Sequence, residues 1–188
     1  GNAIFGYNFG HNNGNGAKFN EDATFGHAIF EKQSDFFNTQ FNRSAVFFRA
    51  QFFENAYFDL ARFEDEIQFI DAKFNKWLEL NGTKINRITL FFICGDVQIS
   101  LRQSQFNRFS VPIAQIKKLE ASDEDRLALI NNFKNLGLFE DADKCYYEYR
   151  KAKMMEKGRS YWSKFYDLIS FLSCGYGVRP NFTIACIL

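Results

Sequence analysis

The sequence has few of the residues from which catalytic and metal sites are built. Histidine occurs only at His11 and His27, far upstream of Cys145, the cysteine that has tyrosines and carboxylates near it. A cysteine nucleophile needs a histidine base, and a metal site needs clustered His, Cys or carboxylate ligands. Neither arrangement is present, and neither is a Ser-His-Asp set, a P-loop or a Rossmann motif. We therefore expect a protein that is not an enzyme and has no metal or cofactor.

The charge and the cysteines exclude further classes of protein. The formal net charge is +1, which provides no overall attraction to nucleic acid, and no nucleic-acid partner is expected. The cysteines are widely spaced with no Cys-x-x-Cys pair, which indicates free thiols in a reducing compartment. They are Cys94, Cys145, Cys174 and Cys186.

Phenylalanine, by contrast, is abundant, with 25 residues in a chain of 188. Eleven of these residues follow one another in alternating steps of six and five, so the full period is eleven residues. They are Phe19, Phe25, Phe30, Phe36, Phe41, Phe47, Phe52, Phe58, Phe63, Phe69 and Phe74. A small residue stands two places before each of them except Phe69, which is preceded by Ile67.

This period belongs neither to an amphipathic helix nor to a simple strand. A short unit that cannot bury its own hydrophobic face can bury it by stacking on copies of itself. We therefore predict a solenoid over residues 1–91, in which the eleven rings and the small residues point inward. Each buried ring contributes about 1.5–3 kcal/mol of transfer free energy, so these rings can form a core with little other apolar content.

The triplets Ala28–Phe30, Ala50–Phe52 and Ala61–Phe63 resemble the signature of the pentapeptide-repeat family. In that signature a small residue, any residue and Leu or Phe are followed by two more residues. The resemblance implies a mainly β fold, a right-handed parallel β-helix with four sides and about one repeat per side. The extra residue in every second repeat departs from the family pattern and indicates a coil of two elevens.

Beyond the repeat the sequence pattern changes twice. Residues 92–120 are rich in β-forming residues, and we interpret them as a cap and linker at the end of the solenoid. Residues 121–174 have helical spacing and predict about three helices. Ser122, with Asp125 three places later, indicates a capping box, and Gly137 indicates the end of the first helix. The other two helices are expected over about 140–157 and 161–174.

A basic run leads into the third predicted helix, with only Glu156 against it. Its members are Arg150, Lys151, Lys153, Lys157, Arg159 and Lys164. The helix itself is rich in aromatic residues, and this combination is typical of a segment that lies at a membrane surface. We interpret residues 175–188 as the start of a transmembrane segment, although they alone are shorter than the about 20 residues that a span needs. The basic flank places this side in the cytoplasm.

Three segments resemble the linker of archaeal proteins in which an eleven-residue (5+6) repeat precedes a potassium-channel-like membrane domain. They are Leu129–Gly137, Asp141–Arg150 and Cys174–Pro180. The resemblance implies a two-helix pore that would follow Leu188. Gly175–Gly177 is the tripeptide of potassium selectivity filters, but no 20-residue apolar run precedes it, and we interpret it as a turn.

Three further phenylalanines directly follow core ones, and alternation along a strand places them outside. These residues, Phe37, Phe48 and Phe53, have two interpretations. They form a patch for a protein partner or a second copy, or they are partly covered by side chains of adjacent coils.

The pattern favours a non-enzymatic interaction or regulatory module on the cytoplasmic face of the cell membrane. We expect it to belong to an ion-channel-like protein of the potassium-channel type, and to act through a protein partner, self-association or a homo-oligomer. The alternative is a free-standing pentapeptide-repeat binding protein, such as a DNA mimic that acts on DNA gyrase. A mimic needs a strongly acidic surface, whereas residues 17–80 contain eleven acidic and seven basic residues, a net charge of −4.

Overall fold

The computed structural model describes residues 3–4, 16–155 and 160–174. The description excludes the side chains of residues 3, 4, 88, 90, 163, 164, 167 and 171–174. The contacts divide the chain into two units, residues 1–128 and residues 129–188. All the strands of the described residues lie in the first unit, and the boundary falls inside the first helix.

The strands are short and follow one another closely through the first unit. In chain order they are β1 (Ala3–Ile4), β2 (Lys18–Phe19), β3 (Ala23–Thr24), β4 (Ile29–Phe30), β5 (Ser34–Asp35), β6 (Gln40–Phe41), β7 (Ala45–Val46), β8 (Gln51–Phe52), β9 (Ala56–Tyr57), β10 (Arg62–Phe63), β11 (Ile67–Ile70), β12 (Lys73–Phe74), β13 (Trp77–Glu79), β14 (Lys84–Phe92), β15 (Val97–Ser100), β16 (Gln105–Ser110) and β17 (Ile116–Glu120).

The described strands pair in parallel and form four columns, which we name sides 1 to 4. Side 1 contains β1, β5, β9, β13, β15 and β17; side 2 contains β2, β6, β10 and the start of β14; side 3 contains β3, β7, β11 and the end of β14; side 4 contains β4, β8 and β12. Paired residues in the repeat are 22 apart, as in Phe19 opposite Phe41. The protein is a parallel β-solenoid of about five turns followed by helices, which confirms the predicted fold class.

The interior of the solenoid consists of stacked phenylalanine rings. Rings one coil apart are nearly parallel, with centroids 4.5 Å apart for Phe36 and Phe58 and 4.9 Å apart for Phe47 and Phe69. Rings of different columns meet edge to face, as Phe47 and Phe58 do at 5.4 Å. Of the eleven rings, those from Phe30 to Phe74 are buried, while Phe19 and Phe25 at the start are partly exposed. Ring pairs of this kind contribute about 0.5–1.5 kcal/mol beyond their buried area.

The alternation of five- and six-residue steps has a cause in the backbone. In each five-residue step, the residue two places after the ring position has φ between 51° and 63°. These residues are His27, Asn38, Arg49, Leu60, Asp71 and Gly82. The next residue donates its N–H to the ring residue's carbonyl, as Ala61 does to Phe58 at 2.9 Å. This is a β-turn with a left-handed third residue, and the described six-residue steps contain no residue with positive φ.

Residues 92–120, interpreted from the sequence as a cap and linker, contain β15, β16 and β17. These strands pair in parallel with the preceding coil, so the solenoid stacking continues through them. The period shortens here: Leu78 lies opposite Ile99, 21 residues on, and Ile99 lies opposite Leu119, 20 residues on. Aliphatic residues such as Leu78 and Ile99 take the buried positions on side 1 of these coils.

Three helices follow the solenoid: α1 (Asp123–Asn135), α2 (Phe139–Met154) and α3 (Tyr161–Cys174). The predicted capping box is confirmed, because Asp125 donates its N–H to the Ser122 hydroxyl at 3.1 Å and its carboxylate accepts the Ser122 N–H at 3.0 Å. Gly137, with φ of 74°, follows the end of α1, and Leu138 donates its N–H to the Phe133 carbonyl at 2.9 Å. Both features satisfy backbone groups that a helix end leaves without partners.

Truncation of one central ring tests the stacked core. Phe58 is fully buried and contacts rings in its own and in neighbouring columns. We expect Phe58→Ala to lower the free energy of unfolding by about 3–5 kcal/mol, because both transfer energy and packing are lost. Urea denaturation followed by circular dichroism measures this. The matched control is Phe53→Ala, whose side chain is 44 % exposed; equal losses in the two variants would contradict the stacked core.

Candidate interaction surfaces

The outward side chains of the solenoid lie in columns, because each strand is in register with the strand one coil away. Opposite charges alternate in several of these columns. Arg43 contacts Glu21 at 3.2 Å, and the further pairs 22 residues apart are Arg49 with Asp71, Lys76 with Glu54, and Arg87 with Asp65. Because these side chains are largely exposed, each pair contributes little to stability. Their effect is to make these columns neutral along the solenoid.

The three phenylalanines predicted to form a partner patch do not share a column. Phe37 follows β5 on side 1, Phe48 follows β7 on side 3, and Phe53 follows β8 on side 4. Phe37 and Phe48 are half-buried and Phe53 is exposed. The Phe48 ring lies under the Arg49 guanidinium, 4.9 Å from the ring centroid. The structure therefore separates them over three corners of the coil.

An apolar column that the sequence analysis missed begins at Phe48. Arg49 donates its N–H to the carbonyl of Ile70 at 2.8 Å, and Asp71 donates its N–H to the carbonyl of Phe92 at 2.6 Å. Phe48, Ile70 and Phe92 therefore stand one above another at the corner between sides 3 and 4, and Phe92 is 59 % exposed. The signal in the sequence was the 22-residue spacing of these three residues.

A second corner, between sides 1 and 2, has a groove on each flank. Leu60 projects from this corner; its side chain is 48 % exposed and its φ is 58°. An open groove of about 840 Å³ lies on one flank, next to Asp59, Asn81 and Arg102. A smaller groove of about 320 Å³ lies on the other flank, next to Arg62 and Lys84. The larger groove thus has both acidic and basic groups, whereas the charged residues of the smaller groove are basic.

Asp59 is held at this corner by Asn81, whose N–H donates to the carboxylate at 2.8 Å. Burial raises the pKa of the Asp59 carboxyl above its ordinary value, and the Asp35 carboxylate raises it further, while the hydrogen bonds from Asn81 act in the opposite direction. Burial also raises the pKa of Glu79, and the negative charges of Asp59 and Glu120 add to this. Acidic groups therefore accumulate along side 1.

The first turn of α1 closes the larger groove. The Asp125 carboxylate accepts the N–H of Gln103, with both oxygens 3.1 Å from the nitrogen. Arg126 donates from its guanidinium to the Leu119 carbonyl at 2.9 Å. Arg102 pairs with Glu120 at 2.9 Å. The polar groups at this end of the groove thus have partners within the solenoid unit.

The cysteine and the histidines that the sequence offers as catalytic candidates are described only in part. Cys145 is buried in α2, and His11 lies outside the described residues. No group of three His, Cys, Asp or Glu side chains that could hold a metal ion occurs in the part of the chain that the structure describes.

The helix α3 presents exposed aromatic side chains. Tyr161 is 92 % exposed and Trp162 is 72 % exposed, and the other exposed apolar residues are Phe165, Tyr166, Leu168 and Ile169. At 100° per residue these six positions fall within an arc of about 160° on the helix. They therefore form one apolar face, which we name the aromatic face of α3.

The predicted basic run is described only in part. Arg150, Lys151 and Lys153 lie in the last turns of α2. Lys157 and Arg159 lie outside the described residues, as do the 175–177 tripeptide and the predicted start of a transmembrane segment at 175–188, and the side chain of Lys164 is not described. Of the helices in the described ranges, none has the length and apolarity to cross a bilayer.

The raised pKa of Asp59 predicts how stability depends on pH. A carboxyl whose pKa is raised in the folded state contributes stability below its ordinary pKa of about 4, and this contribution is lost as pH rises through the raised pKa. We expect Asp59→Asn to flatten this dependence and to raise the Tm at pH 7 by no more than a few degrees. Differential scanning calorimetry between pH 4 and pH 7 measures both quantities.

The control for that measurement is Glu31→Gln, which removes one exposed carboxylate next to side 4. A lower Tm for Asp59→Asn at pH 7, with an unchanged slope against pH, would contradict the prediction. It would mean that the charged hydrogen bond from Asn81 outweighs the burial of the carboxylate.

The chain was compared with family models, curated proteins and solved structures. No family model, no curated protein and no solved structure matches the chain. The structure itself establishes a repeating parallel β-solenoid with a spacing of about 22 residues.

Proposed function

We propose that the chain is a non-enzymatic interaction module that lies on the cytoplasmic face of a membrane. The solenoid supplies a rigid surface for a protein partner or for self-association, and the aromatic face of α3 rests on the lipid. The observation that carries this proposal is the set of six exposed apolar residues along one face of α3. Large exposed apolar patches mark interaction sites, and Trp and Tyr favour the boundary between lipid and water.

The charge next to α3 supports a membrane surface as the partner of its aromatic face. Arg150, Lys151 and Lys153 lie toward the end of α2, the helix that precedes α3. Basic residues near an anionic lipid surface contribute about 1 kcal/mol each. An apolar helix face combined with nearby basic residues is the arrangement of an interfacial helix, which lies in the plane of the membrane surface.

We further propose that the module belongs to the pentapeptide-repeat family and regulates a potassium-channel-type membrane protein. It is supported by the resemblance of Ala28–Phe30 and similar triplets to the family signature, and of Cys174–Pro180 to the channel linker. Stacked coils with a rigid core would transmit the binding of a partner to the membrane segment. The alternating charges of the described surface, such as Arg43 beside Glu21, favour this function over a DNA mimic, which needs a continuous acidic face.

Binding to lipid vesicles tests the membrane part of the proposal. We expect the protein to sediment with vesicles of phosphatidylcholine and phosphatidylserine, and less with phosphatidylcholine alone. The double variant Trp162→Ser, Phe165→Ser should weaken binding at least about tenfold, because each ring contributes about 1.5–3 kcal/mol when buried. The control is Phe92→Ser, at an aromatic residue of the solenoid whose exposure lies between those of Trp162 and Phe165. Equal binding by both variants would overturn the proposal.

Tryptophan fluorescence gives an independent measurement of the same contact. The chain has two tryptophans, so a Trp77→Phe protein reports on Trp162 alone. We expect its emission to shift to shorter wavelength when anionic vesicles are added, because the indole moves from water into the interface. An emission spectrum that does not change at saturating lipid would contradict insertion of the aromatic face.

The channel part of the proposal is tested at the level of the gene. We expect the codons that follow Leu188 to encode an apolar run of about 20 residues, then a filter-type motif and a second apolar run. A stop codon directly after Leu188 would reject the channel form. The membrane-surface form would then still be decided by the vesicle measurements.

A further inference from the structure

The corner at Leu60 breaks the charge rule that the rest of the solenoid surface follows. Elsewhere, charges one coil apart alternate in sign and pair, as Arg87 does with Asp65. At the corner between sides 1 and 2, the strands and turns from Asp35 to Lys84 carry only acidic charges on the side 1 flank and only basic charges at the corner end of side 2. Arg102, one coil further on the side 1 flank, pairs with Glu120 at 2.9 Å.

The left-handed turn residues of this corner are Asn38, Leu60, Gly82 and Gln103, and we name it the Leu60 corner. Successive turns are joined by backbone hydrogen bonds to the residue before the next turn residue, as from Leu60 N–H to the Asn81 carbonyl at 2.8 Å.

The flank on side 2 is basic. Lys18 lies opposite Gln40, Gln40 lies opposite Arg62, and Arg62 lies opposite Lys84, all in one outward column. Within the described part of the chain, none of Lys18, Arg62 and Lys84 forms an ion pair. Like charges in directly neighbouring strands are destabilising. Arg62 beside Lys84 therefore lowers the stability of the folded chain.

The flank on side 1 is acidic. Asp35 lies opposite Tyr57 and Tyr57 lies opposite Glu79, while Asp59 stands at the turn beside them. Their described partners are neutral: Asp35 accepts the N–H of Phe37 at 2.8 Å, and Glu79 accepts the side-chain amide of Asn81 at 3.4 Å. No ion pair in the described residues includes Asp35, Asp59 or Glu79.

We propose that the Leu60 corner is the contact surface between two copies of this chain, related by a two-fold axis parallel to the solenoid axis. This proposal deepens the self-association part of the proposed function and rests on it. A rotation about that axis exchanges the two flanks and keeps each coil at its own height. The acidic flank of one copy then faces the basic flank of the other, with Arg62 level with Asp59 and Lys84 level with Glu79.

The match covers two successive coils, one with Arg62 and Asp59 and the next with Lys84 and Glu79. Both flanks have the same strand spacing, about 4.8 Å per coil, so the two contacts lie at matching heights in the two copies. Leu60, the exposed apolar residue between the flanks, lies closest to the axis and meets its own copy. A two-fold interface is self-complementary in this way, since one patch supplies both halves.

A second copy fits this corner better than other partners because the corner carries both signs of charge side by side. A nucleic acid, an anionic membrane or an acidic peptide would be attracted by Arg62 and Lys84 but repelled by Asp35, Asp59 and Glu79. A second copy has the same coil spacing, so its charges lie at the heights that Arg62 and Lys84 require. A two-fold axis perpendicular to the solenoid axis would place acid against acid, and that orientation is excluded by repulsion.

A charge-swap experiment on the full chain tests the proposal. One variant carries Arg62→Glu and Lys84→Glu, so that both its flanks are acidic. The other carries Asp59→Lys and Glu79→Lys, so that the two positions that face Arg62 and Lys84 of the other copy become basic. We expect the wild-type protein to form dimers in sedimentation velocity at low salt, each variant alone to dimerise at least about tenfold more weakly, and the equimolar mixture of the two variants to dimerise again.

The matched control is Lys32→Glu with Lys73→Glu, which makes the same change in net charge on and beside side 4. We expect it to dimerise like the wild type, and circular dichroism checks that every variant is folded. If either charge-swap variant fails to fold, the wild-type dimer must still weaken as salt rises from 50 mM to about 500 mM, because exposed charge pairs are screened.

Several results would overturn the proposal. They are a monomeric wild-type protein, a dimer that does not respond to salt, variants that dimerise alone as well as the wild type does, and a mixture that stays monomeric. Each of them leaves the vesicle measurements on α3 unaffected, because no lipid is present in this experiment. A loss of vesicle binding with intact charge-swap dimers would, conversely, reject the membrane proposal alone.

Discussion

The spacing between parallel strands, about 4.8 Å, is the constraint on which the rest of the solenoid depends. The phenylalanine rings stack at centroid distances of 4.5–5.0 Å, the distance that the backbone ladder imposes on them. Ring stacking and strand pairing are therefore satisfied by the same geometry. A chain that obeys both must present the same kind of residue every 22 positions, which is the pattern that its sequence shows from Phe19 to Phe74.

The same constraint organises the outer surface. A residue on the outside lies next to the residue 22 places on, so chemical character accumulates in lines along the solenoid. Several lines are neutralised by alternating charges, as Glu21 and Arg43 show. The lines that depart from this rule are the apolar column through Phe48, Ile70 and Phe92 and the two charged flanks of the Leu60 corner. The apolar column and the charged flanks are therefore the parts of the solenoid surface that are best suited to bind a partner.

The helical unit follows different rules. Its helices obey local signals that can be recognised without tertiary information: the capping box of Ser122 and Asp125, Gly137 after α1, and the aromatic face of α3. The three predicted helices are confirmed for this reason. A face with six exposed apolar residues adds nothing to a core in the described structure, and its function must come from what it contacts outside the chain.

The sequence by itself determined the period, the ring positions and the helices, because each depends on contacts that repeat at a fixed spacing along the chain. Only the tertiary structure decided which outer residues share a column, and it separated Phe37, Phe48 and Phe53. It also decided the left-handed turns, since Arg49 and Leu60 are residue types that do not favour positive φ. The raised pKa of Asp59 and the charged flanks beside Leu60 depend on side chains in neighbouring coils. The spacing of residues along the chain does not reveal the combined effect of burial, hydrogen bonds and nearby charges on these groups.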